Sequence, residues 1–382
     1  MQERGISILK KVGLITLYRD NFGSILQAYS TYSFVRSLNY ECKIIHLRYS
    51  NSKIEKIKKI PSFLFMCVAY RDFFSDRIRK RKSYTKEVNL LANETKKKMN
   101  TFVDSVFEID VCDSRDIKCL NRRYDFFITG SDQVWNGYND FYFLTFADKG
   151  KRIAFAPSFG TNELKAYSKN RIKKALNKFS ILSVREESGA RIIKELTGKD
   201  AIRLADPTVL KSKEEWREFA KNGIKKEDYI LIHFLNKPNE IALRYINEYL
   251  KKYKCTAYCI CNEYEEYNKL MYHEFIDINP YDYVSLINDA NYVFTDSFHS
   301  TLFSLNLETQ FFTFDRQHFN GQTQRSRITD LLDRANMKNR FILYKQETIV
   351  FSNTIEWSSD YLFEKERNEL KKYILEGIKD FE

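Results

Sequence analysis

The stretch Asn291 to Phe314, NYVFTDSFHSTLFSLNLETQFFTF, decides how the rest of the chain is interpreted. Residues 292–295 are aromatic and β-branched, which is typical of a buried strand. Asp296 and Ser297 are turn and capping residues, and apolar residues then recur at helical spacing. Ligands of open α/β sheets bind at the carboxyl ends of strands, where the first N–H groups of a helix attract anions. The stretch therefore predicts an α/β fold with an anion-binding turn.

His299 lies in the first turn of this predicted helix. The chain has only five histidines, so one at an anion-binding corner is a candidate proton donor to a negatively charged ligand. The alternative is a histidine on the surface, or one that is buried with its hydrogen bonds satisfied.

The same rhythm of strands and helices extends in both directions along the chain. Five strands that alternate with helices between residues 229 and 335 predict a parallel sheet covered on both faces. A strand at residues 12–17, a helix from Ser24 and a strand at residues 43–47 open the first half in the same way, whereas residues 51–120 are predicted to be mainly helical. We therefore predict two Rossmann-like domains that face each other across a cleft, a GT-B-like architecture. The predicted units are 1–210, 228–345 and a C-terminal helix in 346–382 that packs back on the first domain.

Composition agrees with a two-domain protein. The chain has 382 residues, of which 43% are hydrophobic and 30% charged. Seven cysteines without a regular pattern, and no N-terminal signal sequence, predict reduced thiols and a cytoplasmic location. Cys255, Cys259 and Cys261 are predicted to lie on one face of a strand as buried thiols, and we expect no metal site there.

Positive charge is concentrated in residues 51–82, which hold ten Lys and Arg against three acidic residues, +7 of the chain's formal +12. The apolar run at residues 60–70 within this segment is too short to cross a bilayer. Residues 53–82 therefore indicate either a peripheral contact with an anionic membrane at its inner face or a solvated helical pair. No nucleic-acid-binding motif accompanies the charge, so nucleic acid is not an expected partner.

Two loops of the first half carry further candidate residues. Asn21, Gly23 and Ser24 follow the first strand and either place backbone amides beside a ligand or form an ordinary capped turn. The segment GSDQVWN at residues 130–136 joins hydrogen-bonding side chains to a tryptophan, as sugar sites do. The alternative is that Trp135 fills the core.

Arg185 stands at the end of a predicted strand at residues 181–184. There it can grip a carboxylate or phosphate with two parallel hydrogen bonds. The alternative is a structural ion pair with Glu186 or another acidic residue.

Taken together, the motifs resemble the polysaccharide pyruvyl transferase family over roughly residues 12–335. In chain order they are NFGSILQAYS (21–30), ITGSDQVWN (128–136), IAFAPSFG (153–160), VREESG (184–189), ADP (205–207), TDSFHS (295–300) and RSRITDLL (325–332). GSDQVWN, VREE and DSFH at these separations form the specific part of the signature. The family usually has glycine after the histidine, whereas this chain has Ser300, which is expected to narrow the approach to the donor.

The resemblance implies transfer of the enolpyruvyl group of phosphoenolpyruvate to two hydroxyls of one sugar. The product would be a pyruvate ketal on a cell-surface polysaccharide, such as a capsule or exopolysaccharide, or on its lipid-linked or nucleotide-linked precursor. His299 would protonate the methylene carbon, Arg185 would hold the donor's anionic groups and Asp132 would assist removal of a hydroxyl proton. Donor contacts are expected from Ser297, Phe298, Ser300, Arg325 and Arg327, and acceptor contacts from Asn21, Gly23, Ser131, Gln133, Trp135 and Asn136. The scheme requires no metal and no other cofactor.

Two other functions fit the same architecture. A GT-B glycosyltransferase would bind a nucleotide sugar in the cleft and use a helix start to hold its diphosphate. A catalytically silent relative would bind the sugar without releasing phosphate.

Overall fold

The computed structural model describes residues 9–49, 63–70, 72–78, 91–316, 325–346, 349, 354–357 and 360–379. The first half contains a five-stranded sheet in the order β3-β2-β1-β4-β5, and all its pairs are parallel. Its strands are β1 (Lys11–Ile15), β2 (Glu41–Arg48), β3 (Ile109–Asp113), β4 (Phe126–Thr129) and β5 (Arg152–Ala154). A two-stranded sheet, β6 (Ser183–Val184) with β7 (Ile202–Arg203), follows it.

The helices of the first half connect and cover these strands. They are α1 (Phe22–Ser37), α2 (63–69), α3 (73–78), α4 (Asn93–Val106), α5 (Leu120–Arg123), α6 (Ala166–Leu176) and α7 (Glu187–Thr197).

The second half contains a six-stranded parallel sheet in the order β10-β9-β8-β11-β12-β13. Its strands are β8 (Tyr229–His233), β9 (Thr256–Ile260), β10 (Glu274–Ile276), β11 (Tyr292–Thr295), β12 (Phe311–Phe314) and β13 (Phe341–Ile342). Its helices are α8 (Lys213–Ala220), α9 (Glu240–Tyr253), α10 (Pro280–Asp289), α11 (Phe298–Leu307) and α12 (Arg325–Arg334), followed by the C-terminal helix α13 (Asp360–Lys379). Two Rossmann-like parallel sheets with covering helices confirm the predicted GT-B-like fold.

The facing sides of the two sheets share one continuous apolar core, and the opposite side of each sheet has a core of its own. Helix α1 lies in the shared core. Most of its residues are buried because it packs against both halves. Phe22, for example, stacks on Tyr283 of α10 with ring centroids 4.9 Å apart.

Two local predictions need correction. Residues 51–120 were expected to be helical, and α2, α3 and α4 are, but the prediction missed β3. This edge strand has no continuous apolar run, and its Val111 is half-exposed. Cys255, Cys259 and Cys261 are all buried, but they do not share a face. Cys261 has φ +71° just after β9 and joins the shared core, whereas Cys255 and Cys259 lie in the core on the other side of the second sheet.

Helix α13 returns to the first half of the chain. Its Tyr373 lies parallel to Phe155 with ring centroids 6.3 Å apart, and its Glu366 pairs with Arg334 of α12. The helix therefore contacts both halves, while the unit boundaries at 210, 228 and 345 stay predictions. Among the described residues, no helix combines the length and the apolar character that a membrane span needs.

Candidate functional site

The predicted strand, turn and helix around His299 are present as β11 and α11. The carboxylate of Asp296 accepts hydrogen bonds from the backbone N–H groups of Leu235 (2.7 Å) and Asn236 (3.0 Å) after β8. Ser297 caps α11, since its hydroxyl accepts from the N–H of Ser300 at 3.4 Å. Hydrogen bonds to the residues after the adjacent strand β8 therefore fix the turn. Ser297 was expected to contact the donor, but its side chain caps the helix.

His299 lies at the interface between the two halves and is 93% buried. A Cβ atom built on Gly23 would lie 2.0 Å from its Nδ1, so the first turns of α1 and α11 meet at the imidazole ring. Position 23 therefore requires glycine, because any side chain there would overlap the imidazole ring of His299. On the other edge of the ring, Nε2 lies 3.4 Å from Oδ2 of Asp206 and has no hydrogen-bond partner among the described residues.

The fully buried carboxylate of Asp206 joins His299 to Arg185. Its Oδ2 accepts from Arg185 Nη1 at 2.5 Å, and its Oδ1 accepts from the backbone N–H (3.0 Å) and hydroxyl (2.9 Å) of Thr208. Burial alone raises the pKa of Asp206, but the charges of His299 and Arg185 outweigh it and hold the pKa well below its usual range. Asp206 is therefore ionised. Sequence reasoning noted the ADP motif but gave Asp206 no role, although an acid before proline at a strand's carboxyl end is a capping signal.

Arg185 is buried, and one nitrogen of its guanidinium, Nη1, is hydrogen-bonded to Asp206. Besides the bond to Asp206, Nη2 lies 3.6 Å from Oδ1 of Asp132. Both carboxylates outweigh burial and raise the pKa of Arg185. In the described part of the chain, Nε and Nη2 find no hydrogen-bond partner. These two nitrogens form the side-on edge that binds carboxylates in bidentate fashion.

The alternative for Arg185 was a structural ion pair with Glu186 or another acidic residue, and Arg185 does pair with two other acidic residues, Asp206 and Asp132. Glu186 accepts from the backbone N–H groups of Phe159 (2.8 Å) and Gly160 (3.2 Å) and so holds the loop after β5. This buried acidic residue was also given no role from the sequence.

Arg327 extends from α12 toward Arg185 and is also buried. Its guanidinium lies 5.5 Å from the ring centroid of Phe298, and that of Arg185 lies 4.9 Å from the same centroid. When the Gln133 amide is oriented with its oxygen toward the guanidinium, that oxygen accepts from Arg327 Nη1 at 2.9 Å. Burial and the neighbouring charge of Arg185 lower the pKa of Arg327 to about 9. An anion bound between the two arginines would relieve this repulsion.

Arg325, the other predicted donor contact on α12, is turned to a different partner. Its Nε donates to Oδ1 of Asp315 at 3.1 Å, and its Nη2 contacts the other carboxylate oxygen. Asp315 is buried, so this two-point ion pair offsets the charge of Arg325. Arg327, rather than Arg325, supplies charge beside Arg185.

Asp132 is buried with both carboxylate oxygens occupied. Oδ2 accepts from the hydroxyl of Ser24 at 2.5 Å, and Oδ1 accepts from the N–H of Gln133 at 2.8 Å. Although burial raises the pKa of Asp132, Arg185 and His299 lower it below its usual value. A carboxylate with a lowered pKa is a weak base, so these contacts favour a role in positioning Arg185 and the loop over proton removal.

The expectation of an exposed tryptophan at a sugar site is wrong. Trp135 is fully buried, stacks on Phe143 with centroids 5.1 Å apart and donates from Nε1 to the carbonyl of Tyr142 at 3.2 Å. Ser131 is also buried, and its hydroxyl donates to the carbonyl of Ala156 at 2.6 Å. The ring of Trp135 is therefore part of an apolar core, and the side chains of Trp135 and Ser131 are both buried.

The remaining acceptor candidates differ in exposure. The amide oxygen of Asn21 accepts from the N–H groups of Gly23 (2.8 Å) and Ser24 (3.3 Å), so Asn21 caps α1. Gln133 is partly exposed and Asn136 is exposed on the same loop.

The side chain of Ser300, which was expected to narrow the approach to the donor, faces His233 and Tyr283 instead. Its fully buried hydroxyl lies 2.6 Å from Nδ1 of His233 and 2.8 Å from the hydroxyl of Tyr283. Burial lowers the pKa of His233 to about 3, so this histidine is neutral. The side chain at position 300 therefore points into the second half of the protein, away from the interface.

A small cavity lies between the two halves at these groups. Its lining includes Arg185, Glu186, Asp206, Phe298, Arg327 and Asp330. The described residues contain no cluster of three or more His, Cys, Asp or Glu side chains arranged to hold a metal ion. The cavity thus presents the charges of Arg185 and Arg327 and the ionised carboxylate of Asp206 to a ligand.

The model of the family described as polysaccharide pyruvyl transferase matches residues 21–318, and a search of curated proteins found no match. Among solved structures, UDP-GlcNAc 2-epimerase from Methanocaldococcus jannaschii has 13% identity and a TM-score of 0.47, covering 96% of this chain and 92% of its own. The enzyme of that name from Neisseria meningitidis has 10% identity and a TM-score of 0.45, with 97% and 99% covered. Escherichia coli heptosyltransferase has 8% identity and a TM-score of 0.37, with 86% and 99% covered.

The family match includes the residues that meet at the interface. Residues 21–318 contain Gly23 and the GSDQVWN loop from the first half, Arg185 and Asp206 from its end, and His299 from the second half. The match spans well over half of the 382 residues. The chain therefore belongs to the polysaccharide pyruvyl transferase family.

Proposed function

We propose that this protein transfers the pyruvyl group of phosphoenolpyruvate to two hydroxyls of one sugar and releases phosphate. The supporting observation is a group of three buried side-chain nitrogens at the interface that have no hydrogen-bond partner among the described residues. Arg185 Nε and Nη2 and His299 Nε2 are buried polar atoms without hydrogen-bond partners in the described chain. Buried polar groups normally have hydrogen-bond partners. Three such nitrogens without partners, grouped around one carboxylate, therefore indicate a ligand-binding site. Phosphoenolpyruvate has a carboxylate and a phosphate that suit these donors.

The first chemical step is protonation of the donor's methylene carbon. His299 as imidazolium gives its proton to that carbon, which becomes a methyl group, and the neighbouring carbon becomes an oxocarbenium ion. The ionised carboxylate of Asp206 lies 3.4 Å from Nε2 and orients the imidazole. Asp206 is then a positioning residue for the acid.

The sugar completes the reaction in two additions. One hydroxyl oxygen attacks the cationic carbon and loses its proton, and the bond from that carbon to the phosphate oxygen then breaks. The second oxocarbenium ion is attacked by the second hydroxyl, whose proton is also released. One released proton restores the His299 imidazolium and the other goes to the departing phosphate. The products are one pyruvate ketal and one inorganic phosphate, so atoms and charge balance.

Arginine charge serves the donor side of this scheme. The side-on edge of Arg185 takes the carboxylate, and Arg327 adds charge for the phosphate. Phe298 supports both guanidinium groups with its ring and opens α11, whose first N–H groups favour an anion. The sugar, part of a cell-surface polysaccharide or its precursor, enters from the side of Gln133 and Asn136.

The deciding experiment measures phosphate release from phosphoenolpyruvate with and without a sugar acceptor. We expect release only when an acceptor is present, together with a thermal shift caused by phosphoenolpyruvate alone. The same thermal-shift screen includes UDP- and GDP-sugars, which a GT-B glycosyltransferase would bind. A shift with a nucleotide sugar and none with phosphoenolpyruvate would replace the proposal with the glycosyltransferase function. Acceptor binding without phosphate release would indicate a catalytically silent relative.

A further inference from the structure

Helices α2 and α3 present five large apolar side chains to solvent. These are Leu64, Phe65, Val68, Phe74 and Ile78, which we call the outer hairpin face. Val68 is 86% exposed and Phe65 is 68% exposed. Single exposed apolar residues are ordinary, but five in two short consecutive helices are a concentration of exposed apolar surface of the kind that marks an interaction site.

The opposite face of the same hairpin already has its partners in the protein. Phe73 packs edge-to-face on Tyr167 of α6 with ring centroids 5.1 Å apart. The buried carboxylate of Asp76 lies 3.4 Å from the ammonium of Lys165 at the start of α6. Because these contacts anchor the hairpin, the outer hairpin face is not needed for its attachment.

The charge of the surrounding sequence selects the partner. Residues 51–82 carry a net charge of +7, and this stretch contains the whole outer hairpin face, while residues 51–62, 71 and 79–82 lie outside the described part of the chain. Apolar side chains within a basic segment match a bilayer surface, where anionic headgroups lie above the acyl chains. We propose that the outer hairpin face inserts into the interface of an anionic membrane, so that the protein binds its surface without crossing it.

The position of the hairpin relates this contact to the interface site. Helix α6, which anchors it, follows β5 through a loop that leaves the carboxyl edge of the first sheet. The GSDQVWN loop, with Asp132, leaves the same edge after β4. Membrane binding would therefore hold the cleft close to the bilayer surface, where lipid-linked sugars are found. The proposal itself does not depend on the identity of the donor.

The test is flotation of the full-length protein with vesicles of phosphatidylcholine alone and with added phosphatidylglycerol. We expect binding only to anionic vesicles, with at least about a tenfold loss between 0.1 and 0.5 M salt. The double substitution Phe65→Ser with Val68→Ser should reduce binding about tenfold or more. A second variant, in which Arg79, Lys80, Arg81 and Lys82 are all changed to Gln, should also reduce it.

Met271→Ser is the matched control, because Met271 is 54% exposed but lies far along the chain in the second half. It should bind like the wild type, and thermal unfolding should show all variants folded. Absence of wild-type binding to anionic vesicles, or binding that the double substitution leaves intact, would overturn the proposal. Self-association that is lost in the double variant, without vesicle binding, would show instead that a second copy covers this face.

Discussion

His299 Nε2 and Asp206 Oδ2 lie 3.4 Å apart, although the two residues come from opposite halves of the chain. The contact brings a candidate acid from the start of α11 against a carboxylate that also holds Arg185. The contact between His299 and Asp206 depends on how the two sheets pack together. Substitutions of the residues around it therefore test both the packing and the proposed chemistry.

His299→Gln should keep the fold and most of the phosphoenolpyruvate affinity but lower kcat about a hundredfold or more, because the general acid is lost. Phosphate release at saturating acceptor measures kcat, and calorimetry measures donor affinity. His273→Gln, at a partly exposed histidine, is the control and should behave like the wild type. Near-normal turnover of His299→Gln would remove His299 from the mechanism.

Arg185→Lys keeps the charge but removes the side-on pair of N–H groups. We expect donor binding to weaken by about 1.5 to 3 kcal/mol, which is about 10- to 150-fold. Arg325→Lys is the matched control, since Arg325 is already paired with Asp315, and should change donor affinity less than about threefold. Equal effects of the two substitutions in calorimetry would contradict the assignment of Arg185.

Gly23→Ala should destabilise the protein by about 1 to 3 kcal/mol and displace the imidazole of His299, because the new methyl group overlaps the ring. Urea unfolding and phosphate release should both report the change. Gly377→Ala in α13 is the control: its nearest neighbour, a methyl of Ile153, lies at an ordinary 3.5 Å, and alanine favours helix. Tolerance of alanine at position 23 would show that the two helix starts do not meet as described.

Asp206→Asn should cost about 3 to 5 kcal/mol of stability at pH 7, because it leaves Arg185 buried with less compensation. The folded-state pKa of Asp206 lies below the unfolded value of about 3.9. Its ion pairs therefore stabilise the protein fully above that pH and are lost as the pH falls through the folded-state value. Urea unfolding at pH 7, 4.5 and 3.5 should show a difference in the free energy of unfolding between Asp206→Asn and the wild type that becomes smaller below about pH 4. A difference that is constant with pH would mean that the charge of Asp206 is not what stabilises the fold.

Trp135→Ala should destabilise the protein by about 3 to 5 kcal/mol, as expected for a fully buried aromatic residue, while the acceptor KM of the folded fraction stays unchanged. Asn136→Ala, at the exposed neighbour, should alter stability by less than about 0.5 kcal/mol. A large rise in acceptor KM with little loss of stability in Trp135→Ala would restore Trp135 to the sugar site.

The sequence by itself determined the alternation of strands and helices, the two parallel sheets and the turn before α11. These features depend on local patterns: apolar runs, capping side chains and helical spacing act within a few residues of one another. The family resemblance rests on the same short motifs, so it too was readable without the structure.

Only the tertiary structure decided which of the motif residues meet. Local sequence shows that Trp135 and Ser300 are near a turn, but not that one enters an aromatic core and the other faces His233. The partners of Asp206 were equally hidden, since Arg185 and His299 reach it from 21 and 93 positions away along the chain. Burial and charge pairing depend on surfaces brought together by folding, and no local pattern in the sequence records which surfaces those are.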